Sequence, residues 1–173
     1  GLTYDETFTI NLTNVNEAPS GTNATVTITE DTAHVLTAAT FGFSDVDAGD
    51  ALSAVRIDTL PTAGTLTLSG TAVTAGQVIT TADLAASQLV FTPAANANGT
   101  GYARVAFSVR DSTSLYDPTP NTLTVNVTAV NDRPAITANS GSSVAEGGTD
   151  TITSAELAAV DVDGDACPVP KER

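Results

Sequence analysis

The stretch YARVAFSVR, residues 102–110, alternates strictly between apolar and polar side chains. Successive side chains of a β-strand point to opposite faces, so Val105, Phe107 and Val109 share one face of an extended chain. Such alternation is typical of a strand with one face in an apolar core and the other face in water. This stretch therefore predicts a half-buried strand.

Similar short runs continue on both sides of this strand. PTAG at 61–64 fits a turn, and in TTADLAAS (80–87) Thr81 can cap a single helical turn with Leu84 pointing inward. Several short strands between turn signals predict an all-β chain, an Ig-like β-sandwich. Further strands are predicted at TFTINLT (7–13), ATVTITE (24–30), DTAHVLTA (31–38), LSAVRID (52–58), GTLTLSG (64–70), SQLVFTP (87–93) and NTLTVNVTAV (121–130). The predicted inward-facing residues are Val26, Ile28, Val55, Ile57, Leu66, Leu68, Leu89, Phe91, Phe107, Val109, Leu123 and Val125.

The charge balance restricts the partners. The 173 residues include 20 acidic and 6 basic side chains, for a net charge of −14. Such a surface repels nucleic acid and anionic membranes, and no basic stripe compensates. Cations are the natural counter-charge, although acidity also serves solubility alone.

Catalytic side chains are scarce. Cys167 and His34 are the only residues of their types, so neither a disulfide within the chain nor a multi-thiolate metal site can form. His34 lies in a predicted strand without a convincing catalytic partner. The sequence has no apolar run of membrane-spanning length, and GLTYDETFTI at the start lacks signal-peptide character. We therefore expect no enzymatic activity and no membrane insertion, and we interpret the chain as an internal piece of a longer protein.

One motif occurs twice. AVNDRPAI (129–136) is a near copy of NVNEAPSG (14–21), with Asn131 placed 115 residues after Asn16. Both copies follow a Thr-rich alternating segment. A fixed long period of this kind is the sequence signature of a tandem repeat.

Two further acidic elements recur at a similar spacing. Glu146 follows Glu30 by 116 residues, and VDVDGDA (160–166) repeats SDVDAGDAL (44–52). The tail CPVPKER is atypical and is excluded from fold reasoning. The predicted organisation is a closing strand of a preceding repeat (1–18), a complete repeat (19–133), the start of a following repeat (134–166) and the atypical tail (167–173).

The acidic loop has oxygen-ligand character. Side chains two residues apart in an extended loop face the same way, so Asp45 and Asp47 converge, and Gly49 permits a turn that brings Asp50 near. Close carboxylates repel unless a proton or a cation joins them, and hard oxygen ligands favour Ca²⁺ over zinc. The loop also resembles the start of an EF-hand, but the Glu and the flanking helices of that motif are absent. An Asp-Gly turn in an acidic protein is the alternative.

The set of motifs resembles cadherin-type repeats, in particular the bacterial cadherin-like tandem repeats of giant surface proteins. The resemblance rests on Glu30, DVD at 45–47, VRD at 109–111 and the linker AVNDRP at 129–134. They match the early Glu, the DxD loop, the AxD motif and the DxNDN linker of that family. The resemblance implies Ca²⁺ between successive repeats, held by the early Glu and linker of one repeat and by the DxD and AxD carboxylates of the next.

Carried over to this chain, the resemblance implies two metal sites. At the first junction the implied ligands are Asn14, Asn16, Glu17, Asp45, Asp47 and Asp111. At the second junction they are Glu30, Asn131, Asp132, Asp161 and Asp163.

The chain departs from the family pattern at several positions. Asn14 and Ala129 replace the first Asp of the linker motif, Ala18 and Arg133 replace its last Asn, and Val109 replaces the Ala of AxD. No DRE triplet is present. Fewer carboxylates predict one or two ions per junction and weak affinity, on the order of 10⁻⁴ to 10⁻³ M.

Three functions compete at this point. The first is a calcium-stiffened spacer of an extracellular or surface-anchored bacterial adhesin, with the neighbouring repeats as partners and a role in cell adhesion or biofilm. The second is a carbohydrate- or protein-binding module of a secreted protein, although only 3 Tyr and 5 Phe are available for stacking. The third is a glycosidase with paired carboxylates, but these acids cluster at repeat ends rather than in a cleft. Many copies of the repeat in the parent protein would favour the spacer.

Overall fold

The protein is described by a computed structural model that covers residue 1 and residues 3–163. The predicted tail at 167–173 lies outside the described residues. In chain order the elements are β1 (Ala24–Thr29), β2 (His34–Val35), α1 (Ala38–Phe41), β3 (Ala54–Ile57), β4 (Thr65–Leu68), β5 (Thr71–Ala72), β6 (Val78–Thr80), α2 (Thr81–Ala85), β7 (Leu89–Thr92), β8 (Gly99–Arg110), β9 (Asn121–Thr128), β10 (Ala135–Asn139) and β11 (Leu157–Val160).

Two sheets form an Ig-like β-sandwich. One sheet has the order β1-β9-β8-β3-β6, and the other has the order β2-β7-β4-β5. A separate antiparallel pair, β10-β11, follows the sandwich. The turn at 61–64 joins strands of different sheets, since β3 pairs with β6 and β8 while β4 pairs with β5 and β7. The predicted all-β sandwich is confirmed.

A single apolar core holds the two sheets together. Phe107, from the first sheet, meets the ring of Phe41 edge-on at 4.9 Å between centroids. Leu89 and Phe91 enter the same cluster from the second sheet. Of the predicted inward-facing residues, Val26 and Leu68 are partly buried against the core and the others are buried. The predicted register is confirmed, since a slip of one residue would have exposed the whole set.

The pairing of β1 with β9 places the two ends of the sandwich far apart. These strands are parallel, with Ala24 opposite Leu123 and Thr29 opposite Thr128. The chain therefore enters the sandwich at one pole and leaves it at the other. Between the poles runs β8 with 12 residues, a distance of about 36 Å at the usual rise of a strand.

A buried carboxylate fixes the point where the chain enters the sandwich. Asp117 is 6% exposed, and its Oδ2 accepts hydrogen bonds from Gly21 N and Asn121 Nδ2, both at 2.7 Å. Thr119 N donates to Oδ1 at 2.8 Å. A Cβ on Gly21 would lie 2.6 Å from Asn121 Nδ2, so a larger residue here would displace the Asn121 side chain.

The expectation for the cap of α2 needs correction. The cap of α2 is Thr80 rather than Thr81: Asp83 N donates to Thr80 Oγ1 at 3.2 Å and Thr80 N donates to Asp83 Oδ2 at 2.9 Å, which forms a capping box. The expected inward Leu84 is buried. The short helix α1 and the strands β5, β6, β10 and β11 were not predicted.

Residues 7–13 do not form the expected half-buried strand. Among the described residues before Ser20 no strand is assigned, and Phe8, Ile10 and Leu12 are 83%, 70% and 94% exposed. A strand needs a neighbour to supply hydrogen bonds, and the neighbours expected for this segment belong to a preceding repeat. The assignment of 1–18 to that repeat stays a prediction, as do the other domain boundaries.

Candidate cation-binding junctions

The acidic loop at the first linker is a tight turn. Asp47 N donates to Asp45 Oδ1 at 2.9 Å, and Asp50 N donates to the Asp47 carbonyl at 3.2 Å. Gly49 has φ +104°, in the left-handed region that favours glycine. The turn brings Asp50 back toward Asp45, as Gly49 in the sequence predicts.

The first linker is fastened to this loop by hydrogen bonds. Glu17 N donates to Asp47 Oδ2 at 2.7 Å, and Asn14 Nδ2 donates to Asp47 Oδ1. Asn16 Nδ2 donates to the Glu17 carbonyl at 2.8 Å and to Asp111 Oδ2 at 3.0 Å. The hydrogen bond from the Asn14 side chain, followed by that from the Glu17 backbone, lowers the pKa of Asp47.

Asp111 directly follows β8 and is fully buried. Its Oδ1 accepts Leu115 N at 2.8 Å and Thr113 Oγ1 at 3.1 Å. Burial raises the pKa of Asp111, but the hydrogen bonds from Asn16, Leu115 and Thr113 outweigh it, so the net pKa shift is downward. Asp111 is therefore a buried carboxylate held in its charged form.

Three carboxylates converge at this pole. One oxygen each from Asp45, Asp50 and Asp111 lies within 4.8 Å of the other two. Oxygens that share a Ca²⁺ ion lie about 2.3–2.6 Å from it, so one ion can touch all three. The Oδ2 atom of Asp45 is buried and has no hydrogen-bond partner among the described residues. A buried carboxylate oxygen without a donor is costly, and a cation would satisfy it.

The opposite pole carries a second group of carboxylates. Glu30, which follows β1, is 2% exposed; its Oε1 accepts Val130 N at 2.7 Å and its Oε2 accepts Asn98 Nδ2 at 3.2 Å. One oxygen each from Glu30, Asp132 and Asp163 lies within 4.8 Å of the other two. This spacing also suits one Ca²⁺ ion.

The carboxyl of Asp132 is in a different electrostatic state from those at the first linker. Burial raises the pKa of Asp132, and the negative charges of Asp163, Asp31, Glu30 and Asp161 raise it further, in that order. Loss of the proton from Asp132 is thereby made less favourable, and a bound cation would offset the negative charges around it.

The second linker and its acidic loop repeat three hydrogen bonds of the first. Asp132 N donates to Asp163 Oδ2 at 2.6 Å, as Glu17 N does to Asp47. Asn131 Nδ2 donates to the Asp132 carbonyl at 2.9 Å, as Asn16 does to Glu17. Within the acidic loops, Asp163 N donates to Asp161 Oδ1 at 2.9 Å, equal to the corresponding bond between Asp47 and Asp45.

Every predicted ligand therefore lies at one of the two poles, but their contacts differ. Asp45 and Asp111 join a triad at the first pole, and Glu30, Asp132 and Asp163 form the other. Asp47 instead uses its two carboxylate oxygens to hold the linker. The remaining predicted residues form the hydrogen bonds of the linkers and loops: Asn14, Asn16, Glu17, Asn131 and Asp161.

Sequence reasoning missed residues of the β7–β8 loop. Asn98 contacts Glu30, and Asn96 N donates to Asp31 Oδ1 at 2.9 Å. With its amide nitrogen turned toward the carboxylates, Asn96 also donates to Asp132 Oδ2 at 3.1 Å and Asp31 Oδ2 at 3.2 Å. The sequence did offer one indication of these residues: NANG (96–99) lies where β7 ends and β8 begins, at the pole of Glu30.

A family model for SibA-like, immunoglobulin-like domains matches residues 6–127. The chain belongs to this family. Membership agrees with the Ig-like sandwich, while the cadherin-type calcium ligands stay a prediction. The match to the SibA-like domain begins at Glu6, inside the segment that we assigned to a preceding repeat.

No curated protein and no solved structure matches the chain. Neither helix of the described SibA-like chain has the length and apolar character needed to cross a bilayer.

Proposed function

We propose that this SibA-like domain is a calcium-stiffened structural repeat, a spacer in a large extracellular bacterial adhesin or surface protein. Its partners are the neighbouring repeats of the same chain. Its role is to hold an adhesive region away from the cell in attachment or biofilm. We expect neither catalysis nor nucleic-acid binding.

The path of the chain supports a serial arrangement. Because β1 and β9 are parallel, the chain enters at one pole and leaves at the other. Domains joined in this way extend in a line rather than folding back on each other. An extended array is what a spacer requires.

The observation that carries the calcium role is the buried, unpartnered Asp45 Oδ2 beside Asp50 and Asp111. In water-excluded surroundings like charges repel strongly, and a divalent ion removes both the repulsion and the missing contact. Asp45, Asp50 and Asp111 would hold one ion, and Glu30, Asp132 and Asp163 another. Bound Ca²⁺ supplies positive charge and fixed oxygen geometry at each linker.

Weak affinity fits an extracellular location. We expect dissociation constants on the order of 10⁻⁴ to 10⁻³ M, the range of extracellular calcium modules. Such sites fill only where free calcium is high, so the proposal places the chain outside the cell or on its surface.

The described tyrosines of the sandwich offer little to a sugar ligand. Tyr102 packs against the core, and its hydroxyl accepts Ala94 N at 3.0 Å. The Tyr116 ring is approached by Arg56 and Arg110, at 4.6 and 5.7 Å from its centroid. The spacer is therefore preferred to the carbohydrate-binding alternative.

Calcium titration calorimetry combined with small-angle scattering tests the proposal. Calcium should bind with measurable heat and should lengthen or stiffen the chain. The double change Asp45→Ala, Asp47→Ala should abolish binding at the first junction and leave the sandwich folded, because the core is apolar. Asp150→Asn, in the exposed segment between β10 and β11, is the control for charge. Absence of both heat and stiffening in the unmodified chain would refute the calcium role.

A further inference from the structure

Asn98 occupies an unusual chemical position in the second junction. It is the only Asn in the sequence that is followed by Gly, and its side chain is exposed in the β7–β8 loop. Its Nδ2 nevertheless donates to Oε2 of the buried Glu30 at 3.2 Å. A chemical change in the Asn98 amide would therefore alter a direct contact of Glu30, a candidate calcium ligand.

The residue that follows Asn98 leaves the backbone unobstructed. Gly99 has φ +146°, and apart from the adjoining residues no described atom lies within 4 Å of the place where a Cβ would stand. The pairing of β8 with β9 is irregular between Gly99 and Ala103. Glycine populates conformations closed to other residues, so the peptide nitrogen of Gly99 can approach the Asn98 side chain more easily than any bulkier neighbour would allow.

We propose that Asn98 is a site of spontaneous deamidation that adds a negative charge to the second junction. The Gly99 peptide nitrogen attacks Asn98 Cγ and loses its proton, the C–N bond of the side-chain amide breaks, and ammonia leaves. Water then opens the resulting succinimide to an aspartyl or isoaspartyl residue. The net change is the loss of ammonia and the gain of water, with no oxidant or reductant.

The product reverses the contact with Glu30. An amide that donated to Oε2 becomes a carboxylate that repels it, beside a group of acids that already raises the pKa of Asp132. In calcium-free protein the junction should loosen. With calcium present, the same carboxylate offers another oxygen ligand, so the second site should bind the ion more tightly. This coupling rests on the proposed calcium function, whereas the deamidation does not.

The first test follows the reaction itself. The full chain is incubated at mildly alkaline pH, and peptide mapping by mass spectrometry measures conversion at each Asn. Asn98 should convert faster than Asn96, an exposed residue of the same loop that is followed by Ala97. Asn98→Gln should remove the product while keeping an amide at the position. Equal rates at Asn96 and Asn98, or no conversion, would overturn the proposal.

The second test measures the coupling with Asn98→Asp, which supplies one product directly. Calcium affinity should rise at the second junction and stay unchanged at the first, while the calcium-free linker becomes more mobile by backbone NMR relaxation. Unchanged affinity and mobility, in a chain that still binds calcium, would overturn the coupling. If neither form binds calcium, the proposed function fails, and the mass measurement alone still decides whether Asn98 is the modification site.

Discussion

In both linkers a backbone N–H donates to an aspartate of the acidic loop, Asp47 in the first and Asp163 in the second. Of these two aspartates, only Asp47 also accepts a hydrogen bond from a side chain among the described residues. Asp47 accepts Glu17 N and also Asn14 Nδ2, and the hydrogen bond from Asn14 is the main cause of its lowered pKa. At the equivalent position the second linker has Ala129, whose methyl group cannot donate. The difference between Asn14 and Ala129 therefore changes how the linker compensates the negative charge of the aspartate that it contacts.

The second linker accumulates charge instead. Asp132 lies near Asp163, Asp31 and Glu30, and partial burial together with these charges raises its pKa. The contrast therefore lies between two carboxyls: amide hydrogens compensate the charge of Asp47, whereas the negative charge around Asp132 makes its ionisation less favourable. Two copies of one motif can hold the same geometry and still differ in their need for calcium.

The largest expected effect is a loss of folding stability from a change in the core, and it should not depend on the calcium sites of the two junctions. Phe107→Ala should lower the free energy of unfolding by about 3–5 kcal/mol, because it empties a fully buried site against Phe41. The loss should be similar with and without calcium, since the core contains no ligand. Denaturant unfolding in both buffers measures it, with Phe107→Leu as the milder control. A loss that appears only in calcium-free buffer would place the ion in the fold itself.

The next effect separates the junctions from each other. Glu30→Gln keeps an oxygen acceptor for Val130 N but removes the charge, so calcium binding at the second junction should weaken at least by the roughly 10–100-fold that the loss of a supporting residue costs a metal site. In calcium-free protein the same change should tighten the linker, because repulsion of Asp132 and Asp163 falls. Calorimetry and NMR relaxation measure the two responses.

Asp45→Asn is the matched change at the other pole. It should weaken only the first site and leave the second unchanged, since about 36 Å of β8 lies between the poles. Loss of both sites from either change would show that the junctions are not independent.

A smaller effect on linker mobility should follow from exchanging Asn14 and Ala129, the equivalent residues that differ between the two linkers. Asn14→Ala should raise the pKa of Asp47 toward its usual value and increase the mobility of the first linker without calcium. Ala129→Asn should reduce the mobility of the second linker by supplying a donor for Asp163. NMR titration of the Asp47 carboxyl and relaxation of the linker amides test the pair. Asn14→Asp is the control that keeps the size of the side chain but removes the donor.

The sequence predicts what periodicity can encode. The alternation of apolar and polar residues predicted that Phe91, Phe107 and Leu123 are in the core, because a strand buried on one face has an apolar residue at every second position. The strand β6 and the helix α1 escaped prediction because three or four residues hold too little periodicity. The pairing of β1 with β9 joins residues about a hundred positions apart, and no local pattern specifies it.

The junctions were partly predictable for a different reason. Repetition pointed to Asn16, Asp45 and Asp47, since an acidic pattern kept at one period is unlike chance. Repetition could not reveal Asn96 or Asn98, because the given sequence contains no second copy of their loop. Nor could it assign individual oxygens: the side chain of Asp47 turns to the linker only because the loop and the linker meet in the fold.

The smallest and most specific effect is a pair of opposite responses to pH in calcium-free protein. The pKa of Asp47 is lowered from 3.8, so its stabilising contribution is present above that value and is lost as the pH falls through the lowered pKa. The pKa of Asp132 is raised from 3.8, so the folded junction holds its proton more tightly. Its contribution is present below 3.8 and is lost as the pH rises through the raised pKa.

Mild acidification should therefore order the second linker while the first stays ordered, and stronger acidification should then loosen the first. Backbone NMR order parameters of Glu17 and Asp132, whose amides donate across the two junctions, report each linker separately. Calcium should abolish the response of the second linker, because the ion replaces the proton as the counter-charge. If both linkers loosen together as the pH falls, the hydrogen bond of Asn14 and the crowding around Asp132 do not set the difference between them.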